Sequence, residues 1–489
     1  MPFGRTTRYM IATALVLTAA PQSGLTAATT STASAISARD KSEGAKAHPQ
    51  LVAEYGGAIT GPQADYVASV GKKVALQSGL SNASSDFTVT LLDSSINNAF
   101  AIPGGYIYTT RQLVELMNNE AELGGVLAHE TAHVSLRHSA KRQSNSTKNQ
   151  IVGVLGALLS GVVLGSSQVG QLLQKGFLQG SQLLTLSFSR KQESEADTFG
   201  IKYLRAAGYD PRAMSTVLQS LANQNALDSK LLGTSDQVPA WASTHPDPAS
   251  RVRTTAAQAG TSSTGVSNRD VFLSKIGGLI YGDSPAQGYA EGRSFKHPIE
   301  KLAFDAPAGF YLVNGTQAVA ISGQSGKGQF TTAAFDGNLD SYVAAQFAKL
   351  AQANRAQLTP SAIQRTTING IPAAYASARV NSGTSQVDVT VFAYQWNNTQ
   401  AYHFLTITQA GQNPFDSMFG TMRRLTDAQA ATLKPRRLQV ISVKSGDTMQ
   451  SLSARMAYTD APLQRFQVLN GLTTSSRLSA GQKVKLVTY

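Results

Sequence analysis

Two long apolar runs interrupt the mixed pattern of the chain, Met10–Ala20 and Ile151–Leu164, the second broken only by Gly153, Gly156, Ser160 and Gly161. Elsewhere the pattern is shorter in period. Apolar residues alternate from Phe100 to Tyr108 around Gly104-Gly105, which predicts two short strands and a turn. Beyond residue 300, Leu302–Phe304, Gly309–Leu312, Ala318–Ile321 and Val387–Tyr394 alternate between Gly, Asn or Pro boundaries and predict further strands. Helical periodicity sets Leu339–Gln352 and Pro414–Leu425 among them. Near the end, a Gly446-Asp447 turn opens a short helix capped by Thr448, Asn470-Gly471 ends a second, and Gly481-Gln482 leads into a closing strand.

These patterns imply an α+β multidomain chain, and 489 residues suffice for two or three cores. Residues 45–257 read as a mainly α domain with a small β-sheet. The small polar run Gln258–Gly265 marks a linker over 258–268. An α+β accessory domain is expected over 269–432 and a small βααβ domain over 438–489. His297 and His403 stand alone in the accessory domain and read as structural, and Trp396 beside Asn397 and Asn398 reads as turn-like.

Composition sets the compartment. Arg5 and Arg8, the apolar run from Met10, and small-residue sites such as Leu25-Thr26-Ala27 and Ala33-Ser34-Ala35 make residues 1–35 a secretory signal peptide. The chain is therefore expected to be exported, to the periplasm or cell envelope. It has no cysteine, so stability rests on core burial and any metal ligands are histidines and carboxylates. Net charge is +13, and residues 301–489 hold 17 Lys and Arg against 8 Asp and no Glu. The last 57 residues alone hold 9 basic and 2 acidic residues. On an exported protein this basic tail suits an anionic envelope polymer or a membrane surface, or is a solvated face; nucleic acid is not an expected partner. Residues 151–165 are fewer than the ~20 that a membrane helix needs. They read as a buried or lid-like helix, with membrane-surface contact as the alternative.

The candidate chemistry centres on His129-Glu130-Thr131-Ala132-His133. Four residues on a helix advance about 400°, so both imidazoles stand on one face and can grip one metal ion. Glu130 is offset by about 100° from His129, where a carboxylate can take a proton from an attacking water. Zinc needs a third protein ligand. His138 follows too early for a third histidine on this motif, and on a continuing helix it lies about 140° around from His133, so it reads as a surface residue or one supporting a ligand rather than as a ligand. Glu193 and Asp197 share a helix face at i, i+4: Glu193 can reach the metal while Asp197 accepts the free ring N–H of a ligating histidine. Glu195 points about 200° away from Glu193 and reads as solvated.

HExxH followed by ExxxD, with Asn98-Ala99-Phe100-Ala101 and Pro103-Gly104-Gly105 upstream and His245-Pro246 through Arg251 downstream, resembles the gluzincin peptidases. That group contains the CAAX prenyl protease, HtpX and the periplasmic BepA-type metalloproteases. The resemblance implies a zincin-like fold over residues 45–257, one zinc ion per chain on His129, His133 and Glu193, and Asp197 as partner to a ligand. It implies an edge strand between Phe100 and Tyr108 that holds the substrate backbone, with Asn98, Phe100 and Ala101 as substrate-binding residues; an ordinary buried hairpin is the alternative. It also implies that His245 helps stabilise the oxyanion of the tetrahedral intermediate, with Arg251 behind it. His245 could instead occupy the open position at zinc and hold the enzyme latent. Residues 440–487, with Val443–Thr448, Leu452–Arg455, Leu469–Leu472 and Leu478–Val484, resemble a LysM module, which implies binding of peptidoglycan-type glycans or, alternatively, a plain packing unit.

Three functions are then in play. The first is an exported zinc endopeptidase that cuts misfolded or stalled envelope proteins, with Glu130 as base and then proton donor. The others are a glycan-binding wall scaffold with an inactive peptidase domain, and a peptidoglycan endopeptidase.

Overall fold

The computed structural model describes residues 36–138, 188–232, 245, 248–261, 265–354, 358–382 and 385–489. The expected signal peptide 1–35 and the apolar segment 151–165 lie outside the described residues. Among those described, no helix is long and apolar enough to cross a membrane. The chain is α+β throughout, as its patterning implied.

The first region is built from α1 (Ala38–Glu54), α2 (Pro62–Ala75), β1 (Thr88–Leu92), β2 (Ala99–Ile102), β3 (Tyr106–Thr110), α3 (Arg111–Leu116), α4 (Glu120–Ser135), α5 (Arg190–Ala206), α6 (Ala213–Leu232) and α7 (Pro248–Ala259). Every residue of α4 from Glu120 to His133 is buried, which makes it the central helix of the domain. Asn119 caps it by accepting from the Glu122 N–H. α5 lies against α4 because Gly200 faces the His129 backbone: a Cβ there would meet His129 N at 3.1 Å and Met214 Cε at 3.0 Å. A Ser189–Gln192 capping box starts α5 and sets its first turn, which carries Glu193. β1 runs parallel to β3, and β2 is antiparallel to β3 on the outer edge.

The expected linker is not a free connection. Val266 bridges Tyr209, Ser267 accepts from the Ala121 N–H, and a Cβ on Gly265 would lie 2.2 Å from the Tyr209 carbonyl carbon. The following helix α8 (Arg269–Ile276) and β4 (Ile280–Tyr281) do not join the accessory domain, where the sequence reading put them. Phe272, Leu273 and Ile276 share one core with the first region and the C-terminal domain, and β4 pairs with the first C-terminal strand.

The accessory domain carries β5 (Tyr289–Glu291), β6 (Ser294–His297), β7 (Leu302–Asp305), β8 (Phe310–Asn314), β9 (Val319–Gly323), β10 (Gly326–Ala334), α9 (Leu339–Asn354), β11 (Gln364–Ile368), β12 (Ile371–Ser382), β13 (Ser385–Gln395), β14 (Gln400–Gln409), α10 (Asp416–Phe419), β15 (Arg423–Arg424) and α11 (Asp427–Thr432). Its main sheet has the order β11-β12-β13-β14-β10-β9-β8, and a smaller one the order β15-β7-β6-β5. The alternation along β13 and β14 separates two cores. Val387, Val389, Val391, Ala401, Leu405 and Ile407 pack under α9, while Phe392, Tyr394, Tyr402 and Phe404 meet the aromatic side with Phe295 and Phe304. The helix expected over Pro414–Leu425 is only α10, because Phe415, Met418, Phe419 and Met422 are drawn into the aromatic core and the chain then turns into β15.

The last domain is β16 (Arg436–Ser442), α12 (Met449–Ser453), α13 (Pro462–Leu469) and β17 (Lys483–Thr488), with Thr448 and Ser451 forming the cap of α12. β4 extends its sheet to the order β17-β16-β4. Lys485, fully buried, reaches from β17 into the first region and donates to the carbonyls of Glu115 at 2.7 Å, Leu116 at 3.3 Å and Met117 at 2.6 Å. It thereby caps the C-terminus of α3, where carbonyls have no helical partner. Burial pushes this ammonium below the ordinary lysine range. Lys485→Met is expected to destabilise the full chain by about 3 kcal/mol in urea unfolding, because three buried carbonyls lose their donor together. A change below about 0.5 kcal/mol would mean that the domain is held by its apolar contacts alone.

Candidate active site

Four of the seven histidines of the chain converge beside α4. His129 and His133 bring their Nε2 atoms to 3.0 Å. Glu193, from α5, places Oε2 at 3.5 Å from His129 Nε2 and Oε1 at 3.5 Å from His133 Nε2. His245 adds Nδ1, 3.3 Å from His129 Nε2 and 3.1 Å from Glu193 Oε1. All four residues are buried and their donor atoms lie within 4.8 Å of one another. A tetrahedral zinc ion with bonds of 2.0–2.1 Å spaces its ligand atoms roughly 3.3 Å apart. The donor set and its spacing therefore fit zinc.

The second nitrogen of each histidine of the pair is also held. His129 Nδ1 is 3.0 Å from Asp197 Oδ1, and His133 Nδ1 is 2.9 Å from His138 Nδ1. Arg251, from α7, binds both carboxylates, with Nη1 2.6 Å from Glu193 Oε2 and Nε donating to Asp197 Oδ2 at 2.8 Å. Its support for His245 runs through Glu193. Burial opposes the charge of Glu193, but His245 and the hydrogen bonds of the histidines outweigh it and hold the carboxyl far below its ordinary range. Asp197, likewise buried, is drawn down to about 2 by Arg251 and His129. Burial pushes His133 well below the ordinary histidine range, which keeps the ring neutral as a ligand must be.

Glu130 stands beside the cluster, 1% exposed. Its Oε1 has no hydrogen-bond partner among the described residues and lies 3.4 Å from His245 Nε2. Burial, and then the charge of Glu193, raise its carboxyl to about 8.

Two expectations need correction. The side chains of Asn98 and Phe100 face inward, Asn98 donating to the Tyr55 hydroxyl at 3.0 Å and Phe100 packing on Tyr55 and Tyr108, so a peptide on this strand would meet backbone groups. Only β2, the half with Ala101, is an edge strand, and Tyr106–Tyr108 lies in the central strand β3. Glu195 is not merely solvated, since its Oε2 is 3.2 Å from His138 Nε2. His138, which reads from sequence as a surface residue or one behind a ligand, lies behind His133, whereas nothing in the sequence pointed to Phe188, which stacks on His133 at 3.7 Å. No glycine in Ser135–Arg137 signalled the turn that brings His138 back.

A buried helix pair that presents two histidines, a glutamate and a second carboxylate, Glu130, to one point defines a metallopeptidase-type domain. Residues 62–259 match Peptidase family M48, and residues 441–487 match the LysM domain, so the chain joins a domain of that peptidase family to a LysM domain. It is 36% identical over 190 residues to the beta-barrel assembly-enhancing protease of Yersinia pestis, covering 38% of this chain and 37% of that protein. The protein of that name from Escherichia coli strain K12 is 34% identical over the same shares. The mitochondrial metalloendopeptidase OMA1 of Schizosaccharomyces pombe is 31% identical over 210 residues, 42% of this chain and 57% of that one. The chain thus spans less than two thirds of the length of each.

Proposed function

We propose that this protein is an exported zinc-dependent endopeptidase that hydrolyses peptide bonds of envelope proteins, misfolded or stalled ones above all. The observation that carries the reading is Glu130, buried with its Oε1 3.4 Å from His245 Nε2 and beside a donor set spaced for tetrahedral zinc. His129, His133 and Glu193 hold the metal, Asp197 fixes the His129 ring and Arg251 locks both carboxylates. The zinc ion supplies Lewis acidity that polarises the scissile carbonyl and makes water a stronger acid. Glu130 takes the proton of the attacking water and returns it to the leaving amine. The outer edge of β2 can take an extended peptide by strand addition, through backbone groups of Ala101 and its neighbours.

With Nδ1 3.3 Å from His129 Nε2 and 3.1 Å from Glu193 Oε1, His245 is spaced to fill the fourth position that a catalytic zinc site would keep open. This arrangement supports latency: His245 must withdraw before water and substrate enter. His245→Ala is expected to raise the rate of casein digestion several-fold, and loss of activity would assign His245 to the oxyanion instead. The LysM domain supports a place beside peptidoglycan, through the exposed loops around Lys444–Gly446 and Thr473–Ser476. Digestion of casein that stops on chelation and returns with zinc tests the central reading. If purified sacculi release peptide fragments while casein stays whole, the substrate is the wall.

A further inference from the structure

The two histidines of the metal pair are braced by unlike partners. His129 faces a carboxylate, whereas His133 faces a second imidazole, with the Nδ1 atoms of His133 and His138 2.9 Å apart. His138 is fully buried although it follows the helix. α4 stops at Ser135, the Leu136 N–H bonds back to Ala132, and Arg137 adopts a left-handed conformation with φ 54°. A non-glycine residue rarely accepts that conformation, and here it folds His138 back under His133. On the far side of His138, Nε2 lies 3.2 Å from Glu195 Oε2, and the Gln192 side chain donates to its carbonyl.

We propose that His138 is a positioning residue that fixes the tautomer of His133, and that Glu195 fixes that of His138. Between two facing Nδ1 atoms one must donate and the other accept. If His138 donated, a neutral His133 would carry its proton on Nε2, the atom aimed at His129 and Glu193, and could not ligate a metal. Glu195 decides the direction, because an ionised carboxylate only accepts. It takes the N–H of His138 Nε2, leaves His138 Nδ1 as acceptor and so places the His133 proton on Nδ1. This is the one assignment of neutral rings that satisfies both contacts and frees His133 Nε2. Asp197 achieves the same for His129 directly; on His133 the carboxylate acts through one intervening imidazole.

The proposal rests on the zinc reading above, and zinc affinity of the full chain, measured by chelator competition, tests the two separately. Loss of the His138 acceptor in His138→Leu is expected to weaken zinc binding by about 10–100-fold. His138→Asn is expected to restore most of the affinity, since its amide oxygen can accept where Nδ1 did. Glu195→Ala, at a side chain 39% exposed, is expected to lose several-fold. Thermal unfolding of the metal-free proteins checks folding. Equal losses in His138→Leu and His138→Asn, or wild-type affinity in either His138→Leu or Glu195→Ala, would overturn the tautomer assignment. Should His138→Leu not fold, the contrast between His138→Asn and Glu195→Ala decides it alone. A wild type that binds no zinc overturns the metallopeptidase reading itself.

Discussion

Glu130→Gln is expected to lower the rate of casein digestion by about 10³–10⁴-fold while zinc content and melting temperature stay at wild-type values. The amide keeps the shape of the side chain and removes its ability to take a proton. Among the described residues, the other carboxylates of the cluster are committed: Glu193 is tied to Arg251 and faces the histidines, and Asp197 is held by Arg251 and His129. Burial already holds Glu130 up to about 8, so an uncharged amide in its place asks nothing new of the fold. Initial rates at matched zinc content measure the effect. A Gln variant within tenfold of wild type would remove Glu130 from proton transfer and leave the scaffold reading in its place.

The core of the site was legible because its spacings are local. His129 and His133 are one turn apart on α4, and Glu193 and Asp197 one turn apart on α5, so helix periodicity alone put each pair on one face. The same arithmetic failed at His138, where it assumed that α4 continues. Arg137 ends the helix in a left-handed turn that its side chain does not advertise, and five residues after His133 the chain points back instead of away. Glu195 escapes the same arithmetic: it points away from Glu193 on α5, but its partner His138 is carried to it by the turn that ends α4.

Longer-range packing was legible only in part. Alternation in Val387–Tyr394 identified β13, yet the division of its two faces between α9 and the smaller sheet needs the partner strands. The docking of the LysM domain carried no signal. Lys485 sits in an apolar closing strand of a basic tail and reads as one more solvated charge, whereas its ammonium is spent on three carbonyls of another domain. The basic excess of the C-terminal region is therefore not wholly available to an anionic partner. α13 packs against α6, and Arg269 donates to the carbonyls of both Asn118 and Lys483, so the LysM domain is built into the peptidase region.

Arg251→Met is expected to cost the metal-free protein about 3–5 kcal/mol in urea unfolding, the largest loss of stability among these variants. Glu193 and Asp197 are 1% and 3% exposed, and the guanidinium answers both at 2.5 to 2.8 Å. Without it, two buried negative charges share one wall of the cluster and lose the one guanidinium that bridges them. An exposed pair of the same chemistry offers a control: Arg379 and Asp388 are 2.7 Å apart with the arginine 54% exposed, and Arg379→Met is expected to leave the unfolding midpoint almost unchanged. Zinc should restore part of the loss at the site, because a dication held by Glu193 compensates one carboxylate that Arg251 no longer does. The zinc-loaded Arg251→Met protein is thus expected to regain more stability on metal binding than the wild type does. If metal-free and zinc-loaded forms lose the same amount, Arg251 serves the packing of α7 on α5 rather than the charge balance of the metal site.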